Sequence, residues 1–290
     1  MSATADSGIA RNGGRRPLLE VRDLTMRYTT RTGEVSAVDR VSFSLERGQS
    51  LGLVGESGCG KSSIAISLLK LLPENAQIVG GEILLNGVDM APLSENEMLE
   101  YRWARVSMVF QAAMNSLDPV YRVGDQIIEA LEYHVESARE ESLERVRQLY
   151  DLVSLDRVFI PRYPHEYSGG MKQRAIIAMA LACEPDLIIA DEPTTALDVI
   201  VQDHILRELK KVQRELDMGM IYISHDMAVI AEVSDVVGVM YAGRIVEFGD
   251  TESLFESPIH PYTRALMSAF PSVTGEKREL TGLQGEPPNL

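Results

Sequence analysis

Cysteine is scarce in these 290 residues, which contain only Cys59 and Cys183. Two cysteines make neither a disulfide framework nor a four-ligand metal site, so a reducing, cytoplasmic setting is the expectation. Positive charge is also short: 28 Lys and Arg stand against 43 Asp and Glu, a formal charge of −15. That deficit argues against a duplex-DNA binder held by phosphate contacts, and against a polybasic anchor on anionic lipid. Long apolar runs are missing as well. The longest useful one, AIIAMALAC (175–183), falls far below the ~18 residues of a membrane span. The opening SATADSGIARNGGRRP lacks the apolar stretch of a secretory signal, and residues 1–16 read as a disordered lead.

What remains is an ordinary globular balance, 45% hydrophobic and 24% charged. A chain of this length buries roughly 74% of its unfolded surface and has room for about two domains. β-branched and alternating segments predict strands at 21–28, 41–45, 50–55, 81–87 and 105–110. Further strands are predicted at 186–191, 219–225 and 236–241, followed by the turn AGR and a short strand, IVEF. DLIIAD and GMIYISH are apolar runs between polar residues, the pattern of parallel strands buried on both faces. Helical patterning covers 62–72 and 201–216. From Val120 to about Tyr163 the chain is helical and charged, with Leu143, Val146, Leu149 and Val153 at helical spacing, the face of a bundle packing on the core. From Thr251 onward a proline-bearing tail holds one short helical pattern.

The segment GESGCGKSS (55–63) fits G-x-x-x-x-G-K-[ST] between a strand and a helix, the setting that this phosphate-binding motif requires. Gly55, Gly58 and Gly60 let successive backbone N–H groups turn around a polyphosphate, and the helix N-terminus adds a favourable field. Glu56, Ser57, Cys59 and Ser63 complete the loop. Lys61 is placed to reach the β- and γ-phosphates and the Ser62 hydroxyl to ligate Mg²⁺. Cys59 is a small filler there. In LIIADEP (187–193) an apolar strand ends in Asp191, which delivers a second Mg²⁺ ligand, and Glu192 follows in position to meet an attacking water.

Between those two elements lies YSGGMKQR (167–174), and with it the chain resembles the ATPase subunits of ABC transporters. The resemblance spans about residues 18–270 and rests on six motifs in the family's order. These are the phosphate loop, Gln111 after RVSMVF, SGGMKQR, ADEP, TALD (195–198) and His225 after GMIYIS. Tyr167 stands where the family often has Leu. The resemblance implies an α/β fold: a P-loop core with a RecA-like parallel sheet and an antiparallel β subdomain, plus an inserted α-helical subdomain at about 112–170. The ATP-binding domain would span 17–250 and a C-terminal extension 251–290. ATP and Mg²⁺ are the implied substrate and cofactor, with Gln111 near the metal. Glu192 would polarise water, His225 would contact the γ-phosphate, and Tyr28 would stack on adenine. Ser168, Gly169 and Gly170 would face the nucleotide of the opposite subunit in a head-to-tail dimer, with Asp198 at that interface. Read singly, Tyr28 also fits a strand core residue, Gln111 a plain loop residue, His225 a strand-end histidine and Asp198 a helix cap.

One phosphate loop without a membrane segment resembles an importer subunit separate from its permease. ADEPTTALDVIVQ (190–202) and SPIHPYTRALMSAFP (257–271) resemble the oligopeptide/dipeptide importers; nickel and oligosaccharide importers of the same group leave the cargo open. The implied partners are two permease subunits, a second ATPase subunit (a related heterodimer partner in preference to itself) and, indirectly, an extracytoplasmic binding protein. The implied place is the cytoplasmic face of the membrane, and nucleic acid is not an implied partner. The segment 110–127 would receive the permease's coupling helix. In it, Met114 and Leu117 are exposed apolar candidates for docking, or else pack the insert against the core. The cysteine-bearing tail of some related subunits, an iron–sulfur site in certain cases, is not in these residues. A soluble ABC ATPase acting on DNA or ribosomes keeps the same motifs, yet usually adds tandem cassettes or basic surfaces. A non-catalytic regulatory module would lack Lys61 or Glu192.

Overall fold

A computed structural model of the chain describes residues 16–111, 116–135, 138–194 and 198–268. The expected lead (apart from Arg16), Met114, the first three residues of TALD and the tail from 269 lie outside the described residues. In chain order the strands are β1 (Leu19–Thr30), β2 (Gly33–Leu45), β3 (Ser50–Val54), β4 (Ala76–Leu85), β5 (Val88–Asp89), β6 (Val106–Val109), β7 (Leu187–Asp191), β8 (Gly219–Ile223), β9 (Val236–Tyr241) and β10 (Arg244–Asp250). The helices are α1 (Lys61–Leu68), α2 (Glu95–Tyr101), α3 (Val123–His134), α4 (Arg139–Leu152), α5 (Gly169–Ala180), α6 (Val199–Glu215), α7 (Met227–Val233), α8 (Thr251–Glu256) and α9 (Pro261–Ser268).

Two sheets form. An antiparallel one runs β2-β1-β4-β5, and a six-stranded one runs β10-β9-β3-β8-β7-β6, parallel except for the edge strand β10. This is the expected α/β architecture. Both faces of the six-stranded sheet's five parallel strands are largely buried, and period-2 alternation divides their side chains between two cores. Leu51, Leu53, Leu187, Ile189, Ile221 and Ile223 face a core shared with the antiparallel sheet and α1, while Ile188, Ala190, Met220 and Tyr222 face the helical layer. Val146, Leu149 and Val153 of the helical stretch are buried in that second core with Leu143 packed against it, as their spacing predicted.

Several boundaries differ from expectation for identifiable reasons. Strand β2 reaches back to Gly33 because its polar first half pairs with the end of β1, where Arg27 bridges Glu34 at 2.8 Å. Helix α1 stops at Leu68 instead of Leu72. Lys70 takes a left-handed φ of 51°, and Arg102 donates to the freed carbonyls of Leu69 (2.9 Å) and Lys70 (3.1 Å), which satisfies a helix end. Helix α6 starts two residues early because Asp198 caps it, accepting from Val201 N at 3.0 Å. Helix α2 was not expected, yet its capping box, Ser94 with Glu97, is legible as S-x-x-E.

Leu117 overturns one expectation. It is 5% exposed and belongs to the helical core, so it packs the insert and offers no docking surface.

Tyr167, where the family often has Leu, closes the helical layer. Its hydroxyl lies 2.6 Å from the carbonyl of Phe159 and 2.7 Å from the hydroxyl of Tyr150. A carbonyl only accepts, so Tyr167 donates to Phe159 and Tyr150 donates to Tyr167. Burial pushes the Tyr167 phenol up to about 12. Tyr167→Phe strands both a carbonyl and a buried hydroxyl and is expected to cost about 2 kcal/mol, against about 1 kcal/mol for Tyr150→Phe. Urea unfolding of the two variants measures the difference; equal losses would contradict the assigned donor order.

Candidate functional site

β3 ends at Val54 and the chain turns through Gly55–Gly60 into α1, whose first residue is Lys61. Gly60 holds φ at 108°, and a Cβ there would lie 2.2 Å from the carbonyl oxygen of Ala37 in β2. Only glycine fits both the conformation and the space. Lys61 is 7% exposed, and its ammonium is satisfied inside the loop by the carbonyls of Gly55 (2.7 Å) and Glu56 (2.9 Å). A buried cation requires such partners. Cys59 is turned into the core. Burial pushes its thiol up against the opposing pull of Lys61, which keeps it protonated and supports its reading as filler.

β7 supplies the facing wall. Asp191 shares strand parity with Leu187 and Ile189, so it points to the sheet face that carries α1. It is 5% exposed, and burial raises its carboxyl above the usual range, with the Ser62 hydroxyl pulling it down and the charge of Glu192 pushing it further up. Glu192 has left the strand with a left-handed φ of 48°, its N–H donating to the carbonyl of Ile223 at 2.8 Å. One carboxylate oxygen accepts from Gln111 Nε2 at 2.8 Å and the other lies 2.9 Å from His225 Nδ1. A carboxylate only accepts, so Nδ1 carries the proton of that bond and Nε2 is left for another partner.

These side chains line one cavity of about 440 Å³. Its walls are Ser57, Gly58, Gly60, Lys61, Ser62 and Ser63 on one side and Gln111, Asp191, Glu192 and His225 on the other. Nine- and seven-residue motifs separated widely in sequence thus converge, as expected from their order. Other candidates stand apart. The side chains of Glu56 and Cys59 do not line the cavity, and Tyr28 of β1 lies at its margin, half-buried with its hydroxyl 3.4 Å from Ser63 Oγ. Ser168 caps the exposed start of α5, accepting from Met171 N at 3.3 Å, and Gly169 and Gly170 follow it outside the cavity lining. Asp198 is the helix cap already described.

A second, apolar groove of about 280 Å³ opens beside Gln111. Leu69 and Leu71 follow α1, Trp103 follows α2, Phe110 precedes Gln111, and Tyr133 and His134 end α3. Trp103 holds a left-handed φ of 67° and lies 5.7 Å from the His134 ring. No local pattern marks these residues as a set, because the groove exists only once three separate helices meet. Helix α9 also reaches the phosphate loop, with Tyr262 Oη 3.3 Å from Glu56 N, a contact that no local motif marks.

The chain matches the model of the ABC transporter family over residues 38–195, and that of the oligopeptide/dipeptide transporter C-terminal region over 246–290. It is 46% identical over 278 residues to the oligopeptide transport ATP-binding protein OppD of Bacillus subtilis, covering 94% of this chain and 77% of the relative. The dipeptide transport ATP-binding protein DppD of the same organism is 45% identical, over 94% of this chain and 82% of its own. Among solved structures, the dimeric bacterial ABC transporter cassette MJ0796 superposes with a TM-score of 0.72 at 26% identity, covering 80% of this chain and 98% of that one. A second structure of that cassette, in a post-hydrolysis state bound to ADP and Pi, has the same TM-score at 25% identity, over 80% of this chain and 98% of its own.

The loop geometry separates two glycines. Gly58, at φ 82°, has open space around a would-be Cβ, whereas Gly60 faces backbone. Gly58→Ala is expected to cost about 1–2 kcal/mol of stability from backbone strain alone, and Gly60→Ala at least about 3 kcal/mol because β2 must also move. Thermal and denaturant unfolding compare them; equal stabilities would mean that β2 does not limit the loop.

Proposed function

The chain belongs to the ABC transporter family of ATP-hydrolysing cassettes, and from that premise we propose that it is the energising subunit of an importer for dipeptides or oligopeptides, acting with a separate membrane permease. The observation that carries this reading is the meeting of Lys61, Ser62, Asp191, Glu192, Gln111 and His225 in one cavity. The peptide cargo is supported by the match of 246–290 to the oligopeptide/dipeptide C-terminal region and by relatives named for oligopeptide and dipeptide transport. Nickel or oligosaccharide import by the same machinery is the alternative cargo.

In this reading Lys61 exchanges its carbonyl partners for the β- and γ-phosphates of ATP, while the loop N–H groups and the start of α1 hold the rest of the chain of phosphates. The donor set fits Mg²⁺: Ser62 and the buried Asp191 are hard oxygen ligands, with Gln111 adjoining, and a metal shared with substrate phosphates needs few protein ligands. The metal would neutralise charge that develops on the transferred phosphoryl group. Glu192, oriented by Gln111 and His225, takes the proton of the attacking water. His225 Nε2, left open by the bond at Nδ1, reaches toward the γ-phosphate. Tyr28, at the cavity margin, stacks on adenine. Ser168 and Gly169, exposed at the start of α5, and the half-buried Gly170 bind the nucleotide held by a second ATPase subunit, a related partner in preference to a second copy, with Asp198 beside them.

We assign residues 17–250 to the ATP-binding domain, with the helical insert at about 112–170, and 251–290 to the extension. No described helix is long and apolar enough to cross a membrane. The subunit's place would be the cytoplasmic face of the membrane, on two permease subunits that receive cargo from an extracytoplasmic binding protein. The apolar groove beside Gln111 is where a permease helix would dock, since Phe110 and Gln111 join it directly to the ATP cavity.

Glu192→Gln is expected to retain ATP binding and to lose about 10²-fold or more of turnover, whereas Lys61→Ala weakens binding and turnover together. Calorimetry with MgATP and phosphate-release assays test both; wild-type turnover by Glu192→Gln would remove Glu192 as the base. For the groove, Leu71→Glu and Tyr133→Glu place charge on exposed apolar positions outside the ATP cavity. Both are expected to abolish uptake in reconstituted vesicles while basal hydrolysis and melting temperature hold. Normal uptake by both would place docking elsewhere.

A further inference from the structure

The phosphate loop has a cavity side and a back, and helix α9 reaches the back. Tyr262, on α9 and 206 residues from Glu56, accepts a hydrogen bond from the Glu56 backbone N–H at 3.3 Å. The carbonyl of that same peptide belongs to Gly55 and accepts from Lys61 Nζ at 2.7 Å. One peptide plane is thus held by the lysine through its oxygen and by Tyr262 through its nitrogen. Glu56 does not line the ATP cavity, so the tyrosine fixes the loop without competing for the phosphate face.

Helix α9 is itself anchored. The Glu247 carboxylate on β10 accepts from the N–H groups of Ile259 (2.7 Å) and His260 (3.0 Å), which fixes the chain as it enters the helix. The Tyr262 ring lies 4.6 Å from that of Tyr241 at the end of β9, and the adjoining turn bonds the loop too, Gly243 N–H donating to Cys59 at 3.0 Å. A loop so rich in glycine has much conformational entropy to lose when it wraps a phosphate chain. A hydrogen bond from behind removes part of that loss before the ligand arrives.

We propose that Tyr262 is a positioning residue for the phosphate loop, and that the C-terminal extension sets ATP affinity through it. The proposal rests on reading the cavity as an ATP site. Tyr262→Phe in the full chain keeps the ring on Tyr241 and deletes only the hydroxyl; Tyr241→Phe deletes a hydroxyl from the other ring and is the control.

Backbone hydrogen exchange at residues 56–60 without nucleotide, MgATP affinity by calorimetry, KM and kcat are measured for each. Tyr262→Phe is expected to speed exchange in the loop and to weaken MgATP binding by roughly threefold to tenfold, the worth of one hydrogen bond. KM rises in proportion while kcat holds, and Tyr241→Phe behaves as wild type. Unchanged loop exchange in Tyr262→Phe, unchanged or tighter ATP binding, or equal shifts in both variants would overturn the proposal. A wild-type chain that bound no MgATP would refute the ATP reading instead, and the exchange measurement would still decide the role of Tyr262.

Discussion

The phosphate loop, Asp191, Glu192 and His225 depend on one register row across three parallel strands. Leu53 of β3 is aligned with Ile223 of β8, and Ile223 with Asp191 of β7. Because the strands run the same way, their C-terminal ends emerge side by side. The phosphate loop starts two residues beyond Leu53, His225 lies two beyond Ile223, and Glu192 follows Asp191. The bond from Glu192 N to Ile223 O continues the ladder one step past the strand and fixes where the carboxylate leaves the sheet. A slip of one residue in β7 would turn Asp191 into the helical layer and put Ala190 against α1. The burial of both faces of this sheet is what excludes such a slip, since each strand position belongs to one core or the other.

That rigid base carries a local arrangement that runs against folding preferences. Lys61 and Asp191 are a cation and an acid with almost no exposure, and Glu192 occupies a backbone region that costs a non-glycine residue about 1–3 kcal/mol. None of these would persist on a flexible loop. Glu192 is held on three sides, by its own N–H, by Gln111 and by His225, so its strain is offset by bonds whose donors come from three different strand ends. Gln111 and His225 therefore hold the Glu192 carboxylate in one orientation, one oxygen to each partner.

Legibility in the sequence followed the range of the forces involved. Lys61, Ser62, Asp191 and Glu192 were readable because a loop or strand end needs those residues at fixed short spacings, and parity along DLIIAD already orients the aspartate. Helix α6 was readable from its apolar face, although its first turn hung on Asp198, whose capping outweighed the exposed Val199 and Ile200. Leu117 misled because an apolar residue in a loop carries no mark of its facing; only the packing of the helical layer sends it inward. The groove and the Tyr262 contact were not legible, since each depends on elements that approach only in the folded chain.

The phosphate loop makes the same point physically. Its sequence permits the conformation, yet glycine permits many others, and what selects one is a set of neighbours late and early in the chain. Ala37 of β2 presses on Gly60, Met240 of β9 on Gly55, and the turn at Gly243 bonds to Cys59. Strand β2 and that turn are themselves joined, Asp39 N–H donating to the Gly243 carbonyl at 2.8 Å while Arg244 Nε donates to the Asp39 carboxylate at 2.7 Å, an ion pair that holds the Asp39 carboxyl below its usual range. Tyr262 closes the remaining side. A motif of permissive residues thus acquires a defined shape only from the surfaces around it, and stiffness at the loop becomes a property that the antiparallel sheet, the last hairpin and the C-terminal helix can each alter.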